Sequence, residues 1–102
     1  MTETPPPTIA TATITTAEPA RIILRLCKHW GHKFTVSYDD AQGRIEFTEA
    51  LCLMTAGDGQ LTFRIEAPPQ ADIAQLEQVV ADHAQRMARG ETYVWNWQRA
   101  AA

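Results

Sequence analysis

A chain of 102 residues, 45% of them hydrophobic, is long enough to bury one core and too short for two, so a single domain is expected. A formal net charge of -3 excludes the broad positive surface on which non-specific nucleic-acid binding relies. No apolar run approaches membrane-spanning length, the first residues lack the basic start and apolar stretch of a signal peptide, and Cys27 and Cys52 form no CxxC, so a cytoplasmic protein with reduced thiols and no membrane partner is expected.

Residues 1–7 include Pro5, Pro6 and Pro7, which cannot donate to a ladder, and they are expected to form a mobile extended tail before a domain over residues 8–98. Residues 8–16, T-I-A-T-A-T-I-T-T, are rich in β-branched side chains and contain neither Gly nor Pro, which predicts a first strand. Thr16 is then placed to cap a helix with Glu18 and Pro19 in its first turn, running to about Trp30 and stopping at Gly31. Its apolar face is Ala20, Ile23, Leu24, Cys27 and Trp30, widened by Ile22 and Leu26, while Arg21, Arg25, Lys28 and then His32 form a basic ridge opposite.

After Gly31 the period changes from 3.6 to 2: Phe34, Val36 and Tyr38 alternate with Lys33, Thr35 and Ser37. A turn at residues 39–43 leads to Ile45 and Phe47, alternating with Arg44, Glu46 and Thr48. Residues 51–56 are apolar on both sides, as a central strand would be, and Gly57-Asp58-Gly59 turns the chain into alternating Leu61, Phe63, Ile65 and Ala67. These four strands read as an antiparallel meander. Pro68-Pro69 ends it, and a second helix is expected from about Gln70 or Ala71 to Gly90, with Asp72 in its first turn, an apolar seam of Ile73, Leu76, Val80, His83 and Met87, and an Asp82–Arg86 pair on its flank. Residues 91–97, with Tyr93, Trp95 and Trp97 alternating, suit an edge strand or an arm that plugs the core with aromatic rings, and residues 99–102 are expected to fray.

The implied fold is α+β, in the order β-α-β-β-β-β-α plus a C-terminal arm, with both helices on one face of an antiparallel sheet. The opposite face would carry Lys33, Thr35, Ser37, Arg44, Glu46, Thr62, Arg64 and Glu66. This order resembles one repeat of the TATA-binding-protein fold, a likeness of shape that implies nothing about DNA.

The stretch L-C-K-H-W-G-H-K at residues 26–33 concentrates the candidate chemistry. His29 and His32, with His83 and Glu91 from the second helix region, form a candidate set for iron or zinc, because neutral imidazole and carboxylate suit those ions. Against it, no HExxH or CxxC is present. Histidines at a helix end also serve its last carbonyls, and His83 on an apolar seam suits a hydrogen-bonded core residue. A nucleophilic Cys27 is disfavoured by its place on the apolar stripe near a helix C-terminus, where the dipole raises a thiol pKa. No Ser-centred elbow, phosphate-cradling loop or spaced carboxylate pair is present, so nothing argues for an enzyme. Arg21, Arg25, Lys28, Lys33 and Arg86 form a candidate surface for an acidic protein or an anionic small molecule; single-stranded nucleic acid is disfavoured because the aromatics share the core phase. A homodimer through the open sheet face or the tryptophan arm is compatible with this pattern.

The pair L-C-K-H-W-G-H-K and H-A-Q-R-M-A-R-G-E resembles the bacterial family known as domain of unknown function 2218, with an L-C-K-H-F-x-H-K type segment and a later H-x-x-R-F-A-x-x-E. The likeness runs from about Thr11 to Trp97. Leu26, Cys27, Lys28, His29, His32, Lys33, His83, Arg86, Ala88 and Glu91 fit it, whereas Trp30 and Met87 stand for the usual phenylalanines and Gly90 for a bulkier residue. The resemblance implies no established activity. It does imply a context beside siderophore-interacting flavoproteins, hence a small accessory or binding protein of bacterial iron handling, with a protein or an anionic ligand such as a ferric siderophore as partner.

Overall fold

A computed structural model describes residues 5–101, in the order β1 (Thr8–Thr15), α1 (Pro19–Trp30), β2 (Thr35–Tyr38), β3 (Gln42–Glu46), β4 (Leu51–Gly57), β5 (Gln60–Ala67), α2 (Ile73–Met87) and β6 (Gln98–Ala101). The expected tail falls partly outside the described residues, at 1–4; Pro5, Pro6 and Pro7 are exposed and without regular structure. The six strands form one antiparallel sheet in the order β2-β3-β4-β5-β1-β6. Both helices lie on the same face, α1 across β2, β3 and β4 and α2 across β5 and β1.

Strand register explains why that face is apolar. Ala10, Ala12 and Ile14 pair with Ile65, Phe63 and Leu61, which in turn align with Cys52, Met54 and Ala56. Ile45 aligns with Cys52, and with α1's Ile22, Ile23, Leu26 and Cys27 these residues form the core. On the open face, Leu51 lies between Glu46 and Glu66 and Leu53 between Arg44 and Arg64. The pairs Arg44–Glu46 and Arg64–Glu66 run along β3 and β5 on this face, at 4.0 and 2.9 Å; such solvated pairs contribute little to stability. Tyr38 keeps the core phase but is 44% exposed, because it sits at the end of the edge strand.

Gly43 marks a close approach of α1 to the sheet. A Cβ there would lie 2.7 Å from Met54 Cε and 2.8 Å from Ile23 Cγ2. The methionine end can swing aside, but Ile23 is fixed on the helix. Gly43→Val is therefore expected to cost roughly 1–3 kcal/mol by overpacking, despite valine's better strand propensity. Urea unfolding measures this, and an unchanged midpoint would mean that α1 is not held at that distance.

Several boundaries differ from expectation, each for a local reason. Thr16 is not the helix cap: Glu18 holds that position without a side-chain cap, while the buried Thr16 hydroxyl accepts from Glu18 N–H at 3.2 Å and donates to Glu91 at 2.6 Å. The second helix begins at Ile73, because Asp72 accepts from Gln75 N–H at 3.1 Å and caps it. It ends at Met87, and Gly90 (φ +77°) turns the chain into the arm. Asp82 accepts from the Gln78 side-chain amide at 2.7 Å instead of meeting Arg86.

The largest difference is at the C-terminal end. Residues 99–101, where fraying was expected, form a strand together with Gln98 and pair with β1, Thr8 opposite Ala101 and Thr11 opposite Gln98, and residue 102 lies outside the described residues. Arg99 reaches back across this strand to make a two-pronged bond to Glu77 of α2, 2.8 Å on each side. With the arm and β6 covering that flank, the deepest residues of α2 are Glu77, Val80, Ala81 and Ala84, and His83 and Met87 are only half-buried.

Candidate functional site

The most chemically equipped cleft, about 570 Å³, opens where α1 ends, beside α2 and the loop joining β3 to β4. Three local decisions build it. Gly31 ends α1 with ordinary right-handed geometry, and its missing side chain matters for space: a Cβ would lie 2.9 Å from Cys27 O and 3.3 Å from Val36 Cγ2. The chain can therefore fold back at once, with Phe34 N–H donating to Trp30 O at 2.8 Å. Phe47 follows the last β3 residue in core phase but past the end of α1, so its ring faces the cleft.

Trp30 stands at the centre. Its ring meets Phe47 edge-on at 5.1 Å, His83 at 4.8 Å and His29 at 5.8 Å. Phe34 continues the wall, edge-on to Phe47 at 5.0 Å, and Leu76 and Val79 of α2 complete it. The His29 and His83 rings are 5.0 Å apart. His83 Nδ1 lies 2.7 Å from the Val79 carbonyl, which can only accept, so Nδ1 carries the proton and Nε2 presents a lone pair in the neutral ring. Lys33 and Glu49 bring opposite charges to the rim, and the Lys33 ammonium sits 5.6 Å from the Phe34 ring centre.

Of the candidate ligands His29, His32, His83 and Glu91, only His29 and His83 are brought together. His32 is exposed in the turn after α1 and lines no part of the cleft. Glu91 lies at the far end of the helix pair, where it accepts from Thr16 Oγ1 at 2.6 Å, Ala17 N–H at 3.0 Å and Tyr93 Oη at 3.2 Å. Among the described residues no three His, Cys, Asp or Glu side chains come together as a metal's ligand set. The expected basic surface also divides. Arg21 is drawn inward to donate to the Met87 carbonyl at the end of α2, leaving Arg25, Lys28 and Arg86 exposed and Lys33 at the cleft. Trp30, Phe34 and Phe47 are cleft residues that periodicity assigned to the core; the available signal was that Phe34 and Phe47 share the core phase beyond the point where Gly31 ends their covering helix.

Glu91 instead fastens the arm to the start of α1. The Thr16 hydroxyl, then the Ala17 N–H, hold its carboxyl below the ordinary value of 4.5, with Tyr93 adding a smaller effect in the same direction. A carboxyl lowered in the folded state contributes stability above its unfolded pKa, and that contribution is lost as pH falls through the folded one. Thermal melts from about pH 7 to about pH 3 should therefore show Glu91→Gln less stable than the parent near neutrality, the gap closing below pH 4.5. The group is partly exposed, so solvent tempers the effect. A gap that stays constant with pH would remove the charge from this account.

The thiols take no part in the cleft. Cys27 and Cys52 are fully buried, and burial pushes them up to about 11 and about 12 respectively, the neighbouring Cys27 adding to the rise at Cys52.

A family model described as "Uncharacterized protein conserved in bacteria (DUF2218)" matches residues 11–98. The NMR structure of PA4090 from Pseudomonas aeruginosa is similar to this chain, with 38% identity and a TM-score of 0.74 over 88% of this chain and 94% of that one. No curated protein matches the sequence.

Proposed function

Since the chain belongs to the uncharacterized bacterial family DUF2218, we propose that it is a small binding protein whose cleft at the end of α1 takes a planar aromatic ligand bearing an acidic oxygen. What carries this reading is the convergence of Trp30, Phe34 and Phe47 with the two imidazoles around one opening. Its volume of about 570 Å³ is within the usual span for small-molecule sites, and such sites pair apolar walls with a few aimed polar groups. Aromatic walls favour a flat ring. His83 Nε2 accepts a hydroxyl proton and the Lys33 ammonium attracts the anionic oxygen, while Glu49 repels it from the other lip. A catecholate has this chemistry, which is how the siderophore context implied by the family resemblance connects to the site.

Titration with salicylate, followed by the indole N–H resonance of Trp30, tests it against cyclohexanecarboxylate, which has the charge without the flat ring. Salicylate is expected to saturate, and Lys33→Ala or His83→Ala to weaken it by about tenfold, the size of one lost charged hydrogen bond. Equal binding of the saturated acid, or indifference to both substitutions, would count against the proposal.

A second reading, a metal-binding domain, rests on the His29–His83 approach of 5.0 Å between ring centres. Two imidazoles would supply part of an iron or zinc coordination sphere, and ligand oxygens the rest. Protein prepared without a chelating tag should then hold stoichiometric metal that is lost in both His29→Ala and His83→Ala. Metal-free protein that stays so after reconstitution excludes it.

A further inference from the structure

A second cleft, about 490 Å³, lies on the opposite flank of α2, between that helix and the arm of residues 91–97. We propose that it binds a quaternary ammonium group, seated against the indoles of Trp95 and Trp97 with Asp82 as its counter-charge.

The arm supplies the aromatic side. Trp95 and Trp97 stack nearly parallel, 11° and 5.6 Å apart, and Tyr93 stands edge-on to Trp95 at 6.3 Å. Trp95 is anchored from behind by Phe63 at 5.3 Å, so the ring pair is held in place before any ligand arrives. The glutamine of α2 that faces the arm fixes its distance: Gln85 Nε2 donates to Glu91 O at 2.8 Å, and Gln85 Oε1 accepts from Tyr93 N–H at 2.9 Å. Across the gap, Ala74 and Ala81 are too small to fill it, which leaves the opening.

Charge on the helix side is negative. Glu77 and Asp82 both line the cleft. Glu77 already holds the Arg99 guanidinium through both oxygens, so this flank draws a cation from the chain itself. Among the described residues Asp82 bonds only the neutral Gln78 amide, and no basic residue forms an ion pair with it. A carboxylate without an ion-pair partner, lining the same cleft as two indoles, favours a cation, because the ring faces are electron-rich.

The hydrogen-bond inventory selects the kind of cation. A primary ammonium has three donors and is strongly hydrated. Here Glu77 is occupied by Arg99 and the Gln85 side chain by the arm, so acceptors remain chiefly on Asp82. A quaternary ammonium needs none, and its methyl groups match the aromatic wall.

Choline tests this against its uncharged carbon isostere dimethylbutanol and against ethanolamine, with the indole N–H resonances of Trp95 and Trp97 as readout and that of Trp30 as an internal reference outside the cleft. Choline is expected to shift the first two saturably and leave Trp30 unmoved, with the isostere and ethanolamine each several-fold weaker. Asp82→Asn should raise the apparent dissociation constant for choline about three- to tenfold. Trp97→Ala should abolish the response, but Trp97 also packs against the core, so the exposed Asp82 decides the matter. The proposal is overturned by an equal response to dimethylbutanol or to ethanolamine, by an unchanged constant in Asp82→Asn, or by no saturable shift up to roughly 0.1 M choline.

Discussion

Phe63→Ala should lower the unfolding free energy by about 3–5 kcal/mol, a large share of the roughly 5–15 kcal/mol that holds a domain of this kind. Phe63 is fully buried on β5, opposite Ala12 of β1 and Met54 of β4, and it is the ring against which Trp95 rests. Truncation therefore removes apolar contact on both sides of the strand. Alanine at position 12 is too small to fill the void, and the sheet register prevents the strands from closing in. A urea midpoint lower by roughly 2 M, with unchanged slope, is the expected signature. A change in slope would mean that loss of the arm's seat had also loosened the native state. Phe63→Leu, which keeps most of the volume, should cost less than about half as much.

Trp30→Ala is expected to have two separable effects. The residue is 6% exposed and joins α1 to His83 of α2 and Phe47 of the β3–β4 loop, so its loss should cost about 3–5 kcal/mol. It should also remove the central wall of the histidine cleft, and with it the response to salicylate. Trp30→Phe distinguishes the two: it restores most of the packing and a flat ring, and it is expected to recover much of the stability and part of the binding, read by calorimetry because the indole signal is gone. Should Trp30→Phe fold well yet bind no better than Trp30→Ala, the ring's place in recognition would have to be reassigned to its indole N–H.

The meander and both helices were legible because their burial pattern is periodic. Phe63 and Ile65 bury on alternate positions, Ile23 and Cys27 at helical spacing, and nothing from elsewhere in the chain changes that. The last strand was not legible, since Gln98-Arg99-Ala100-Ala101 has neither alternation nor a β-branched residue; it is a strand because β1 has a free edge beside it and Glu77 draws Arg99 across. For the same reason the buried side of α2 was placed too far toward His83: Glu77 is buried at 7% exposure only because a partner from β6 meets it there. Chain direction divides the histidine set. His29 and His32 would share a side if the helix continued, but it ends between them at Trp30. Glu91 is only a few residues beyond His83, yet the positive φ of Gly90 sends it back toward Thr16. Tertiary structure divides the two segments that carry the family resemblance between separate places.

The position of β1 also governs the order in which this chain can assemble. It is made before either of its neighbours, since Thr15 must wait for Gln60 and Thr8 for both Ala67 and Ala101. The hairpins of β2 through β5 need only short loops to close, whereas β1 pairs across long stretches of chain, which slows its docking. Until β5 exists, an unpaired strand of threonine, alanine and isoleucine is open on both edges, a template for pairing between nascent chains. Pro5, Pro6 and Pro7 stand directly before it, and residues that cannot donate to a ladder limit how far such wrong pairing can extend.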